Sequence, residues 1–123
     1  MQIDFPTAQP NSFGMPVSCF DLETNSVEGR AIIQANQLLF RFYNFSDQVN
    51  VEIELSDDHG NGIFAVTNFT AVRNGGTRFV LFRDFPPTAV NTEQSMCRYR
   101  LAATNQRNPR EGAHVDVQIF AHR

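Results

Sequence analysis

The strongest constraint on the fold is a series of short segments that are rich in β-branched and aromatic residues and are separated by turn signals. In the segment 48–55, QVNVEIEL, apolar residues alternate with asparagine and glutamate. A period of two places one apolar and one polar face on an extended strand. Comparable segments lie at 16–22, 29–45, 62–72, 77–85, 95–104 and 113–123. With no secure helix between them, the pattern predicts an all-β chain.

Segment 29–45 allows more than one interpretation. It is long enough for two strands broken near Asn36, or for one strand with a bulge at that point. A helix over 28–39 is the alternative, but Gly29 and Asn36 are poor helix formers and disfavour it.

A chain of 123 residues fits one domain. Seven or eight short strands predict a single antiparallel β-sandwich, of immunoglobulin-like or jelly-roll type, over 15–123. The chain contains no tryptophan, so the Cys…Trp…Cys pattern of antibody domains is absent. Residues 1–14 contain Pro6 and Pro10 and are predicted to form an extended N-terminal arm.

The arm carries one strand-like patch, QIDF, in which Ile3 and Phe5 share a face. An extended segment of this kind can add to an open sheet edge by main-chain hydrogen bonds. The edge can belong to the same chain or to a neighbouring subunit, and the sequence does not separate the two.

The charge pattern excludes some classes of partner. The net charge is −3, which argues against a general nucleic-acid binder and against an anionic membrane surface. No signal peptide is visible at the N-terminus, and the sequence leaves the localisation open, with a virion or an extracellular assembly among the alternatives. All ten basic residues are arginines, which reflects either codon bias or arginines placed at interfaces.

The cysteines and the polar clusters suggest no chemistry. Cys19 and Cys97 are predicted to be buried thiols rather than a disulfide. The stretch SDDHGNG, 56–62, faintly resembles a calcium loop, but its twelfth position is Asn68 instead of a bidentate glutamate. It is therefore predicted to be a hairpin turn. The polar loop 105–112 likewise has no apolar anchor, and both loops are expected to tolerate substitution.

Candidate metal and catalytic residues are equally sparse. His114, Asp116 and His122 share one face of the last segment, but no cysteine pair or further histidine completes a zinc site. No nucleophile motif, phosphate loop or paired-carboxylate signature is present. The expectation is a protein with no catalytic residues, no metal and no cofactor.

Three segments carry apolar or arginine side chains at positions that should face water. The residues assigned to the core are Leu38, Phe40, Phe42, Phe79, Leu81, Cys97, Tyr99 and Leu101. The intervening set is aromatic, aliphatic or arginine, and these types are enriched at protein interfaces. With two residues of the arm, the predicted interface comprises Ile3, Phe5, Leu39, Arg41, Tyr43, Phe45, Arg78, Val80, Phe82, Met96, Arg98 and Arg100.

This surface predicts a non-catalytic structural protein that self-associates, forming a homo-oligomer or binding a partner structural protein. A virion decoration or fibre subunit would fit. An alternative is a carbohydrate-binding module, although the absence of tryptophan counts against it. A single-stranded nucleic-acid binder would need the arginines in one patch. A further alternative is that the N-terminal arm or a loop of the same chain covers one sheet face and so accounts for the apolar residues.

Overall fold

A computed structural model describes residues 1–8, 13–24, 27–32, 35–57, 62–85 and 97–122, with only the backbone described over 27–32. The described residues form nine strands and no helix. The strands are β1 (Gln2–Asp4), β2 (Ser18–Glu23), β3 (Val27–Ile32), β4 (Gln37–Tyr43), β5 (Val49–Asp57), β6 (Ile63–Ala71), β7 (Arg78–Arg83), β8 (Cys97–Asn105) and β9 (His114–His122).

The strands form two sheets. Sheet A has the order β1-β7-β4-β9-β2, and sheet B has the order β3-β8-β5-β6. All pairs between named strands are antiparallel. The inner faces of the two sheets share one apolar core. The predicted antiparallel β-sandwich is therefore confirmed.

The strand pairing is nested: β2 pairs with β9, β3 with β8, β4 with β7 and β5 with β6. Eight strands nested in this way over two sheets have the connectivity of a jelly roll, and not that of an immunoglobulin domain. The ninth strand, β1, comes from the arm and extends sheet A beyond β7.

Segment 29–45 is broken into two strands, as one of the interpretations of the sequence predicted. β3 ends at Ile32 and lies in sheet B, whereas β4 begins at Gln37 and lies in sheet A. The chain crosses from one sheet to the other at this break. The helix over 28–39 was therefore the wrong alternative.

The core follows the predicted alternation in β5 and β4. Val49, Val51, Ile53 and Leu55 of β5 are completely buried. From β4, the ring of Phe40 lies 5.5 Å from that of Phe82 and 6.0 Å from that of Tyr99, both in edge-to-face geometry. Each large apolar side chain buried in this way contributes about 1.5 to 3 kcal/mol relative to an exposed one. A core of this size stabilises the sandwich without a disulfide.

The two thiols are free, as predicted, but they differ in environment. Cys97 is buried, and desolvation raises the pKa of its thiol to about 12. Cys19 is exposed, so the prediction that both are buried was wrong for this residue. It lies opposite Gln118 on the outer face of sheet A, one residue out of phase with the inward-facing positions of β2.

A buried carboxylate anchors the polar loop 105–112. Asp47 accepts hydrogen bonds from Arg107 at 2.8 and 3.1 Å and from Asn105 at 3.2 Å. The hydrogen bonds from the Arg107 guanidinium hold the pKa of the Asp47 carboxyl well below its usual range. Asn105, itself buried, accepts hydrogen bonds from the amides of Arg107 and Asn108. The loop thus has a polar anchor that its composition did not reveal.

Candidate association surface

The outer face of sheet A explains why the sequence looked apolar on both sides. Leu39, Leu81 and Phe120 form a second apolar cluster there, separate from the main core. Phe13, which belongs to the arm, is only 6% exposed and packs on this cluster. The arm therefore covers one sheet face within the same chain. Leu39 faces away from the core, as predicted, but this intrachain contact buries it.

Three residues of the predicted interface are instead buried in the main core: Phe45, Val80 and Phe82. In β7 both alternating sets are apolar, so the pattern left its orientation open, and the orientation chosen from the sequence was the wrong one. Phe79 faces outward toward the second cluster. Phe45 turns inward because Asn44 before it has a φ of 57° and interrupts the alternation.

Arg41 and Tyr43 lie half-buried on the outer face of sheet A, where the sequence placed them. The Arg41 guanidinium lies 4.4 Å from the centre of the Tyr43 ring and donates to Gln118 at 2.7 Å. Beside them, Asn44 donates to Asp116 at 2.8 Å. This row of polar groups is largely satisfied within the chain.

The arm residues lie at the β7 edge of sheet A. Ile3 is opposite Phe82 and packs against the main core, whereas Phe5 is half exposed. Asp4 and Arg83 form an ion pair at 2.8 Å. Within this chain the arm thus folds back on its own sheet, one of the two arrangements that the sequence allowed.

The remaining predicted residues do not form one surface. Arg98 and Arg100 are exposed on the outer face of sheet B, where Arg100 lies 3.7 Å from Glu52 and 3.6 Å from Glu54. Arg100 therefore pairs with two carboxylates. Met96 lies outside the described residues. The predicted set is divided among the core, both outer faces and one edge.

The sequence predicted β6 as a strand but did not place it in the interface, and the structure puts it at the edge of sheet B. Its nine residues, IFAVTNFTA, include no charged residue and no proline. Ile63 is 61% exposed, Val66 is 53% exposed, and Val72 just beyond the strand is 63% exposed. In the sequence, the run of uncharged and largely apolar or β-branched residues in segment 62–72 was the feature that could have pointed to this strand as an association surface.

The other sheet edges carry features that discourage strand addition. β1 is only three residues long, and β2 presents exposed Asp21 and Glu23. β3 includes Glu28 and Arg30 in its sequence. Natural sheets protect their edges by short strands and charged residues, because an open edge pairs readily with another strand. Among the four edges, β6 is the long and uncharged one.

Two features limit the length of β6 that is available for pairing with another strand. Between Leu55 and Ser56 of β5 the register shifts, which leaves Phe64 as an extra residue near the start of β6. Near its end, Arg78 donates to the carbonyl oxygen of Thr70 at 3.1 Å, and its guanidinium lies 4.7 Å from the centre of the Phe69 ring. Arg78 was predicted to face outward from sheet A, but it packs between the two sheets at this edge.

The described residues line several polar clefts. One of them, about 320 Å³, is lined by Glu23, Thr24, Ser46, Gly112, Ala113 and His114. Its polar atoms bond to one another: Ser46 Oγ accepts from the amide of His114, and Thr24 Oγ1 accepts from that of Ala113. Within the described ranges, no three His, Cys, Asp or Glu side chains are grouped to hold a metal ion.

The hairpin predicted at SDDHGNG is confirmed, since β5 pairs with β6 and the amide of Asp57 donates to the carbonyl of Gly62 at 3.0 Å. Residues 58–61, including His59 and Asn61, lie outside the described part. In the described ranges there is no helix long and apolar enough to cross a membrane. Comparisons with protein-family models, curated proteins and solved structures give no match to this chain.

Proposed function

We propose that this protein is a non-catalytic structural subunit that self-associates, of the virion decoration or fibre type. The observation that carries the proposal is the open edge of β6, which combines nine uncharged residues with exposed Ile63 and Val66. Jelly rolls are common in viral capsid and lectin domains, although a fold alone does not define a function. The apolar outer face of sheet A, which first suggested association, is covered by Phe13 and does not support the proposal.

Mass in solution tests the proposal. Light scattering over a micromolar concentration range should show a species heavier than the 13.9 kDa monomer. A Val66→Lys variant should raise the dissociation constant of self-association about tenfold, because a charged side chain on an edge strand disfavours strand addition. The matched control is Val17→Lys, since Val17 is similarly exposed but precedes β2, an edge strand of sheet A. A wild-type protein that stays monomeric throughout would overturn the proposal.

The alternative function, carbohydrate binding, is supported by one specific feature. Tyr43 is accompanied on the outer face of sheet A by Asn44, Asp116 and Gln118, whose side chains are of the kind that bind sugar hydroxyls. Arg41 covers one face of the tyrosine ring, which reduces the surface available for stacking. Titration calorimetry with a panel of oligosaccharides tests this alternative: binding that Tyr43→Ala abolishes would favour it over self-association, and no heat with any sugar would exclude it.

A further inference from the structure

The direction of the main-chain groups of β6 restricts which residues can pair with another strand. The amide of Gln106 donates to the carbonyl of Gln48, so even-numbered residues of β5 bond to β8 and only odd-numbered ones bond to β6. Thr70 is opposite Asn50, so its carbonyl faces the open edge, where Arg78 donates to it at 3.1 Å. In antiparallel strands alternate residues direct both their N–H and C=O groups to the same side. Asn68 and Val66 therefore present their main-chain groups to the open edge as well. Since Arg78 already donates to the Thr70 carbonyl, Val66 and Asn68 are the residues whose main-chain groups remain available to a partner strand.

The charges at the two ends of β6 select the direction of that partner. Arg73 and Arg78 lie near the end of the strand, whereas the carboxylate of Asp57 lies beside its start, close to Gly62. A second copy of the strand running antiparallel would bring the basic end of each copy to the acidic end of the other. A parallel copy would place like charges together. The strand is thus complementary to itself in the antiparallel sense.

We propose that two copies of this chain pair through β6 about a two-fold axis at Thr67, which joins the two B sheets into one eight-stranded sheet. This inference rests on the proposed self-association and names its surface and register. With the axis at Thr67, Val66 of each copy lies opposite Asn68 of the other. That register uses both residues that have open main-chain groups and leaves the bulge and Arg78 outside the paired stretch.

The register predicts a specific cross-link. At a two-fold axis Thr67 faces its own counterpart in a non-hydrogen-bonded pair, where the Cα atoms are about 4.5 Å apart. That separation is within the range for a disulfide. Thr70 lies three residues from the axis, so its two copies are offset by six residues, or about 20 Å along the strands. Both residues are threonines on the same strand, which makes Thr70→Cys a matched control.

The experiment is oxidative cross-linking of Thr67→Cys and Thr70→Cys, each in a Cys19→Ser background that removes the exposed thiol. Mild oxidation should convert most of the Thr67→Cys protein, and little of the Thr70→Cys protein, into a covalent dimer. Equal cross-linking of both variants, or of neither, would overturn the β6 register. Light scattering distinguishes a failure of the β6 register from a failure of self-association. A protein that associates but forms no Thr67 cross-link refutes only the register. A monomeric protein refutes the proposed function as well.

Discussion

Truncation of Phe13 is the most informative perturbation of the fold, because this one side chain connects the arm to the outer face of sheet A. It covers Leu39, Leu81 and Phe120, which would otherwise form an exposed apolar patch. A Phe13→Ala variant removes that cover while leaving the main core between the sheets intact.

The loss of unfolding free energy expected for Phe13→Ala depends on where the apolar cluster lies. Substitution of a buried phenylalanine by alanine in a closed core costs about 3 to 5 kcal/mol, part of which arises from the cavity left behind. The Phe13 site is on the outer face of a sheet, so water can fill the vacated space and only the transfer contribution remains. Burial of a phenylalanine side chain is worth about 1.5 to 3 kcal/mol. We expect the free energy of unfolding to fall by about 2 to 3 kcal/mol.

Urea unfolding followed by far-ultraviolet circular dichroism measures this loss, with all variants at one protein concentration because association also stabilises. The matched control is Met15→Ala, two residues along the same segment. Met15 is 84% exposed, so its truncation should change the unfolding free energy by less than about 0.5 kcal/mol. If Phe13→Ala were no more destabilising than Met15→Ala, the arm would not cover the sheet face.

Three further predictions concern the turns, the polar anchor and the thiols. Gly75→Ala should destabilise by about 1 to 3 kcal/mol in urea unfolding, because an added Cβ would lie 2.9 Å from a carbonyl oxygen, whereas Gly76→Ala, with no atom within 4 Å, should change little. The pKa of Asp47 is lower in the folded than in the unfolded protein, so the ionised carboxylate stabilises the fold fully above the ordinary aspartate pKa of about 4 and progressively less below it. The loss of unfolding free energy caused by Asp47→Asn should therefore shrink as the pH falls. A loss that does not change with pH would contradict this. A thiol reagent at pH 8 should modify Cys19 in the native protein and Cys97 only after unfolding, and simultaneous labelling would contradict the difference in burial.

The sequence predicted the sandwich because strand alternation is a local property. β5 is the clearest example, since its apolar and polar residues alternate from Val49 to Ser56 and the structure follows them. The prediction of which side chains face the core was wrong where both faces of a strand are apolar. In β7 the run Phe79 to Phe82 gives no preference, and only the contact with Phe13 explains why its outer side can be apolar.

The association surface required the sheet order, which depends on long-range pairing. The composition of segment 62–72 showed a strand without charges, but not that this strand lies at an edge. The polar anchor was hidden for the same reason, because Asp47 and Arg107 are 60 residues apart in the chain. Local patterns define strands and turns, whereas edges and buried ion pairs depend on which strands become neighbours.

Hydrogen exchange of the β6 amides, resolved by nuclear magnetic resonance over a range of protein concentrations, tests most directly whether β6 is the association surface. In a free monomer the amides of Val66 and Asn68 face the open edge and should exchange quickly with solvent. If the chain associates through β6, protection of these two amides rises with concentration, in step with the mass measured by light scattering. Amides of β5, which already bond within sheet B, should change much less. Mass that rises with concentration while the Val66 and Asn68 amides stay unprotected would contradict association through β6 and place the interface elsewhere on the molecule.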